Sequence, residues 1–197
     1  PQYLKYVDIF FTKIAEQADG YMHMDGGPVI GIQIENEYGH VGGLQGPEGE
    51  AHIRTLTAMA KEIGFDVPLY TATGWGGACI GDLLPVMGGY CEAPWDQRTC
   101  EIEPNANFVF SHTRNDALIA CDHHVENANS YNEEDFPFLT AELGGGLQVT
   151  MHRRPVAKGC DVGAMSTVKM GSGAGLLGYY MYHGGSNPKG KLSTLQE

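Results

Sequence analysis

The sequence predicts an α/β fold built on a parallel sheet of about five strands. Segments with helical apolar spacing alternate with short strand-like segments along the 197 residues, as in sheets whose parallel strands are joined by right-handed crossovers. The apolar run at 28–36 also has the β-branched composition of a buried parallel strand. Because a closed eight-unit barrel takes about 250 residues, we expect residues 1–197 to form one partial domain, the C-terminal part of a (β/α)8 TIM barrel.

The individual elements follow from apolar spacing and from residues that stop a helix. Asp19-Gly20 closes the first helix, and Gly64 follows the second. Helices are predicted over residues 3–18, 50–63, 115–127 and 156–169. Strands are predicted over residues 28–36, 67–73, 136–142 and 175–182 and, weakly, over 89–92, with a loop over 96–107.

Charge and hydropathy limit the partners of the chain. It carries 24 acidic and 12 basic side chains, for a formal net charge of −12. Because such a surface repels polyanions, we expect no nucleic acid and no anionic membrane as a partner, and neutral substrates fit it better. No apolar run is long enough for a transmembrane helix.

The cysteines and the first residues say little about the compartment. Five cysteines at irregular spacing, with no C-x-x-C, favour free thiols, with one internal disulfide as the alternative. The sequence starts at Pro1 in a helix-like segment without a signal peptide, so we infer that it begins inside a larger protein. The localisation therefore stays unknown.

Two predicted strands end in glutamate. The strand at 28–36 runs into Glu35-Asn36-Glu37, and the strand at 136–142 ends in Glu142. In an α/β barrel the carboxyl ends of the strands form the catalytic face. A retaining glycosidase needs two carboxyl groups about 5–5.5 Å apart, one as acid/base and one as nucleophile. Glu37 and Glu142 are the predicted pair; the alternative is that both are exposed loop carboxylates.

Three motifs resemble one enzyme family. The segments Gly26-Gly27-Pro28-Val29-Ile30-Gly31-Ile32-Gln33-Ile34-Glu35-Asn36-Glu37-Tyr38-Gly39, Val67-Pro68-Leu69-Tyr70-Thr71 and Tyr180-Met181-Tyr182-His183-Gly184-Gly185-Ser186-Asn187 are similar to those of glycoside hydrolase family 35, the β-galactosidases. The resemblance covers nearly the whole chain and implies strands four to eight of a (β/α)8 barrel, with strands one to three missing upstream. It implies a galactoside substrate and neither a metal nor an organic cofactor.

The resemblance also implies roles for single residues. Glu37 matches the acid/base on strand four, and Asn36 matches the partner of the sugar 2-hydroxyl. Glu142 matches the nucleophile on strand seven. Tyr180 matches a strand-eight tyrosine that lies beside the nucleophile and contacts the sugar, and its phenol is able to donate a hydrogen bond to the Glu142 carboxylate. After Glu142 the sequence departs from the family, because glycines stand where an aromatic-rich segment is expected.

Other polar and aromatic residues near the strand ends are candidates for the pocket. Glu35 is expected to bind polar groups near the rim, with a direct sugar contact as the lesser option. Trp75 and Trp95 lie in predicted loops and either stack on a sugar ring or pack locally. Glu92 ends the weak strand and is a further pocket candidate.

Three further motifs in the sequence resemble ligand-binding sites but are explained by local structure. The G-x-G-x-x-G at 173–178 follows a helix and opens a strand, the reverse of the dinucleotide fingerprint. Cys121-Asp122-His123-His124 is interpreted as helix surface, because neighbouring histidines on a helix point about 100° apart. His152-Arg153-Arg154 is too short for nucleic acid and either pairs with local carboxylates or lines a subsite.

The resemblance thus implies that the parent protein is a retaining exo-β-galactosidase that removes terminal β-D-galactose from oligosaccharides or glycoconjugates, with the chain alone either active or an inactive fragment. Another exo-β-glycosidase on the same barrel is the alternative within enzymes. A non-catalytic half-barrel, structural or weakly sugar-binding, is the alternative outside them. Because five strands leave open sheet edges, we expect such a piece to form a homo-oligomer.

Overall fold

The computed structural model describes residues 1–72, 76–92, 96, 98–99, 106–112, 114, 129–144, 153–180, 182 and 189–191. The helices are α1 (Gln2–Ala18), α2 (Gly46–Ile63) and α3 (Gly159–Gly171). The strands are β1 (Ile32–Asn36), β2 (Leu69–Ala72), β3 (Leu84–Tyr90), β4 (Leu139–Gly144) and β5 (Leu176–Tyr180). All five strands are parallel and pair in chain order, which confirms the predicted α/β fold with a parallel sheet.

The chain divides into two compact units, and β3 belongs to both. The first unit comprises residues 1–86 and 128–136, and the second comprises residues 87–127 and 137–197. The first part of β3, Leu84–Val86, pairs with β2, while Met87–Tyr90 pairs with β4.

The core of the first unit lies between its helices and its strands. On α2, Ile53, Leu56 and Ala60 follow helical spacing and are fully buried. Phe11 of α1 packs on Phe65, with ring centroids 5.8 Å apart. Burying one such side chain stabilises the fold by roughly 1.5–3 kcal/mol, so this helical face fixes α2 against the sheet.

Local signals set the ends of α2. Pro47 stands in the first turn, where its missing N–H is harmless, and Glu48 follows it at the positive end of the helix dipole. Gly64 adopts a left-handed conformation with φ 106° and donates to the carbonyls of Ala60 and Lys61. The helix therefore begins four residues before the predicted residue 50 and ends where the glycine predicts.

The second unit has its own small core. Cys91, Leu143 and Met165 are buried there. The Asp161 carboxylate accepts a 2.7 Å hydrogen bond from the Lys158 backbone N–H, so α3 starts at Gly159 rather than at 156. The Tyr179 hydroxyl donates to Ser166 Oγ at 3.1 Å and ties β5 to α3.

Several predicted boundaries were wrong. The weak strand at 89–92 is the longer β3, because Pro85, Gly88 and Gly89 conceal a buried strand in the sequence pattern. Strand β4 ends at Gly144 rather than at Glu142. Strand β1 starts at Ile32 because Val29 pairs instead with the turn after α1, donating to Tyr21 and accepting from His23.

Some predictions fall partly or wholly outside the residues that the structure describes. Cys79, Cys91 and Cys160 are free thiols. The helix predicted at 115–127, together with Cys100 and the Cys121-His124 segment, lies outside the described residues. The glycine-rich segment at 173–178 follows α3 and opens β5, as its structural interpretation requires.

Candidate active site

Glu37 stands directly after β1 in a left-handed conformation. Its φ is 50°, and it is the one described non-glycine residue with positive φ. Its carbonyl accepts hydrogen bonds from the backbone N–H groups of His40 at 2.9 Å and Val41 at 3.1 Å. A left-handed glutamate is sterically disfavoured, and such backbone strain clusters at functional sites. The chain thus turns sharply at the predicted acid/base.

The segment after the strand, the Glu37 loop (residues 37–45), is held by close backbone contacts. The N–H of Cys79 donates to the Tyr38 carbonyl at 2.8 Å, and Gln45 Nε2 donates to the Gly39 carbonyl at 2.8 Å. Gly39 has φ +89°, and a Cβ there would lie 2.9 Å from Cys79 Sγ. Burial, more than the nearby Glu50 charge, raises the pKa of the Cys79 thiol, so this sulfur is a packing group.

The two residues before Glu37 take different environments. The Glu35 carboxylate accepts from the Asn36 backbone N–H at 3.0 Å. The pKa of Tyr3 on α1 is raised mainly by burial and secondly by the negative charge of Glu35. The Glu35 carboxylate therefore lies near the Tyr3 phenol. Asn36 is exposed and its Oδ1 accepts from Gln33 Nε2 at 3.4 Å. Sugar contacts by Glu35 and Asn36 stay predictions.

Glu142 lies in β4 of the second unit, held by a tyrosine that sequence reasoning missed. The Tyr90 hydroxyl donates to Glu142 Oε1 at 2.7 Å, and the Tyr90 ring lies edge-on to Tyr180 with centroids 6.3 Å apart. The structure therefore brings Glu142 and Tyr180 together, around Tyr90. A Cβ on Gly144 would lie 2.9 Å from Tyr90 Cε1, so this glycine, two residues after the predicted nucleophile, makes room for the ring.

Asn107 holds the backbone of Tyr90 through a hydrogen bond. Its Nδ2 donates to the Tyr90 carbonyl at 3.2 Å, and the residue is 1% exposed. A Cβ on Gly89 would lie 2.6 Å from Asn107 Oδ1, so the absence of a side chain at Gly89 makes room for this amide. Burial raises the pKa of the neighbouring Cys91 to about 11, so this thiol is protonated at neutral pH.

The chain matches the sequence model of Glycosyl hydrolases family 35 over residues 1–190. It belongs to this family. One relative is Beta-galactosidase 17 of Arabidopsis thaliana, 37% identical over 75 residues, which are 38% of this chain and 10% of that protein. Another is Beta-galactosidase 7 of Oryza sativa subsp. japonica, 27% identical over 180 residues, which are 90% of this chain and 20% of that protein.

The family membership confirms the resemblance carried by the motifs. The five parallel strands and their helices are part of the (β/α)8 barrel of family 35, a family of glycoside hydrolases. The matched segments span a tenth and a fifth of the length of these two relatives.

In this family 35 chain, one ion pair joins the segments that follow β3 and β4, and a second lies within the segment after β3. Arg153, which is buried, pairs with Glu92 through Nη1 and Oε2 at 3.5 Å. The predicted pairing of the 152–154 segment with a local carboxylate is thereby confirmed. Asp96 binds the Arg98 guanidinium through both oxygens. Hydrogen bonding from Arg98 lowers the pKa of Asp96 to about 2, and the charge of Arg153 acts in the same direction.

Asp96 gives a testable pH dependence. Because its folded-state pKa lies below the usual 3.8, its ionised form stabilises the fold above about pH 4, and this stabilisation disappears as the pH falls toward 2. Arg98 is half-exposed and solvent screens the pair, so we expect Asp96→Asn to lower the free energy of unfolding by about 1 kcal/mol at pH 7. The difference from wild type should vanish near pH 2 in urea titrations. Asp66→Asn, an exposed carboxylate, is the control; equal effects of both changes at pH 7 would contradict the assignment.

The remaining predicted pocket residues, Trp75 and Trp95, lie outside the described residues. Among the residues that the structure does describe, no group of three histidine, cysteine, aspartate or glutamate side chains is arranged to hold a metal ion. None of the helices in that part of the chain is long and apolar enough to cross a membrane.

Proposed function

We propose that this family 35 chain carries the catalytic carboxylates of a retaining exo-β-galactosidase, which removes terminal β-D-galactose from oligosaccharides or glycoconjugates. The observation that carries the proposal is the bond from Tyr90 to Glu142, which holds a carboxylate on a barrel strand in a chain of this family. Glu37, which follows another parallel strand, is the proposed partner of Glu142. The relatives named as β-galactosidases support galactose as the sugar.

The proposed reaction has two displacements at the anomeric carbon. Glu142 attacks this carbon and forms an ester, while Glu37 gives its proton to the departing glycosidic oxygen. Glu37 then takes a proton from water, whose oxygen attacks the same carbon and releases Glu142 as carboxylate. Each displacement inverts the carbon, so galactose leaves with its original β configuration.

The described contacts suit these two roles. A hydroxyl that donates to Glu142 Oε1 keeps one carboxylate oxygen oriented and stabilises the charged form that attacks. The hydrogen bonds around the Glu37 loop hold the acid/base on a short, fixed turn. Asn36 as the partner of the 2-hydroxyl, Tyr180 as a sugar contact, Glu35 at the rim and Trp75 and Trp95 as stacking rings complete the proposal.

Product stereochemistry and substrate choice test the function. The chain is incubated with aryl β-D-galactosides and with their C4 epimers, the aryl β-D-glucosides, and proton NMR follows the anomer that is released first. We expect β-galactose first and preference for the galacto series. Release of α-galactose would contradict retention, while preference for the gluco series would favour another exo-β-glycosidase.

The assay is repeated with residues 1–190 replacing the matched segment of a complete family 35 enzyme. Activity there but not in the chain alone would mean that the chain supplies the carboxylates and needs further strands. A folded chimera without activity would contradict the proposal and favour the non-catalytic half-barrel.

We further propose that two copies of the chain associate, through the open sheet edges predicted from the sequence and through an apolar face on α1. Tyr6, Phe10 and Ile14 lie at helical spacing and are exposed, and a groove of about 420 Å³ continues the surface to Tyr21 and Val29. Exposed apolar patches of this kind mark interaction surfaces. We expect light scattering to report twice the 21.3 kDa mass of the chain, and Phe10→Gln with Ile14→Gln to return it to monomer. A monomeric wild-type chain would contradict self-association.

A further inference from the structure

Three aromatic rings from three different elements meet beside the Glu37 loop. The Tyr38 ring of the loop stacks on the His52 ring of α2, with centroids 4.7 Å and planes 28° apart. Tyr3 of α1 also lies against His52, with centroids 5.9 Å apart and an angle of 34°. This Tyr3–His52–Tyr38 cluster therefore joins both helices of the first unit to the residue that follows Glu37.

Tyr38 is held at both its ring and its backbone. Its carbonyl accepts from the Cys79 N–H at 2.8 Å. Its ring lies over Gly43, where a Cβ would come within 2.4 Å of it. A ring fixed in this way leaves the backbone next to it little freedom, and Glu37 occupies a conformation that glutamate rarely adopts. A disfavoured conformation persists only where the surroundings impose it.

We propose that His52 is a positioning residue for the acid/base step, acting through its stack on Tyr38 to hold Glu37 in its left-handed conformation. The inference rests on the proposed function of Glu37 and extends it to a residue on α2. In this proposal His52 acts through Tyr38, on which its ring is stacked. The property required at position 52 is a flat ring, because stacking is what the geometry shows.

The dependence of rate on the leaving group tests the proposal. General acid catalysis matters most for a basic leaving group and little for an acidic one such as dinitrophenol. We expect His52→Ala to lower kcat/KM about 10-fold or more for alkyl and simple aryl galactosides, and less than threefold for the dinitrophenyl compound. His52→Phe, which keeps a flat ring, should restore most of the loss.

Met59→Ala is the matched control, since Met59 packs against the core from the same helix. A variant that is only less stable loses activity toward all leaving groups by the same factor, so equal losses for His52→Ala would overturn the proposal. Absence of any turnover by the wild-type sequence in the chimera would instead count against the proposed function.

A measurement without turnover keeps the two proposals separate. We expect the Glu37 backbone amide to shift in ¹⁵N-correlated NMR spectra of His52→Ala, to return toward its wild-type position in His52→Phe and to stay in place in Met59→Ala. An unchanged Glu37 amide in folded His52→Ala would overturn the positioning role, whatever the activity.

Discussion

Glu142→Gln should abolish hydrolysis of aryl β-D-galactosides, with a loss of about 10³-fold or more in kcat/KM. A neutral amide is too weak a nucleophile to attack the anomeric carbon, so the first displacement has no alternative. The substitution keeps the shape of the side chain, and its carbonyl still accepts from the Tyr90 hydroxyl. The fold should therefore be preserved, and the loss should lie in kcat rather than in KM.

Azide separates the roles of the two glutamates. In Glu142→Ala a small anion has room to attack from the vacated side, which inverts the carbon once and gives α-galactosyl azide. In Glu37→Ala, Glu142 still forms its ester and azide takes the place of water, which gives β-galactosyl azide. NMR of the two products decides the assignment, and the opposite pair of anomers would exchange the roles.

Glu62→Gln is the control for the hydrolysis assay of Glu142→Gln, because Glu62 is exposed on α2 and has no part in the proposed chemistry. Its kcat/KM should equal that of the wild-type sequence within about twofold, as for most surface substitutions. Full activity in Glu142→Gln would contradict the nucleophile assignment and with it the two-displacement mechanism.

Local sequence patterns predicted most of the sheet because the spacing of apolar residues depends on which side chains are buried. Ile34 of β1 and the helically spaced Ile53, Leu56 and Ala60 of α2 are buried, as their patterns predict, whereas Ile30, in the predicted strand but before β1, is exposed. Most of strand β3 was not predicted. Its Pro85, Gly88 and Gly89 have low strand propensity, and only tertiary packing makes them a strand.

Tyr90 could not be found from the sequence for a related reason. Its hydroxyl reaches Glu142 because Gly88 is paired with Glu142 after a register shift between Met87 and Gly88. Register depends on contacts between strands that are far apart in the chain, and an irregularity in it leaves no local signature. The left-handed φ of Glu37 is likewise imposed by the Glu37 loop, since the residue type favours the opposite sign.

Tyr90→Phe should lower kcat/KM about 10- to 150-fold, because a hydrogen bond to a charged group is worth about 1.5–3 kcal/mol. The change removes only the hydroxyl that donates to Glu142 at 2.7 Å and keeps the ring against Tyr180. Tyr179→Phe is the matched control, because it removes a tyrosine hydrogen bond from the same unit, to Ser166 at 3.1 Å. It should leave kcat/KM within about threefold of wild type.

A double-mutant cycle shows whether Tyr90 acts through Glu142. If the hydroxyl only orients and stabilises the attacking carboxylate, no such carboxylate remains in Glu142→Gln, although the amide carbonyl still accepts the hydrogen bond. Tyr90→Phe in a Glu142→Gln background should then add no further loss to the residual kcat/KM. Multiplication of the two losses would mean instead that Tyr90 contacts the sugar independently. A Tyr90→Phe variant within twofold of wild type would show that the 2.7 Å bond has no part in catalysis. In that case the site would depend on the carboxylates alone, and the contact with Glu142 would serve only to pack β3 against β4.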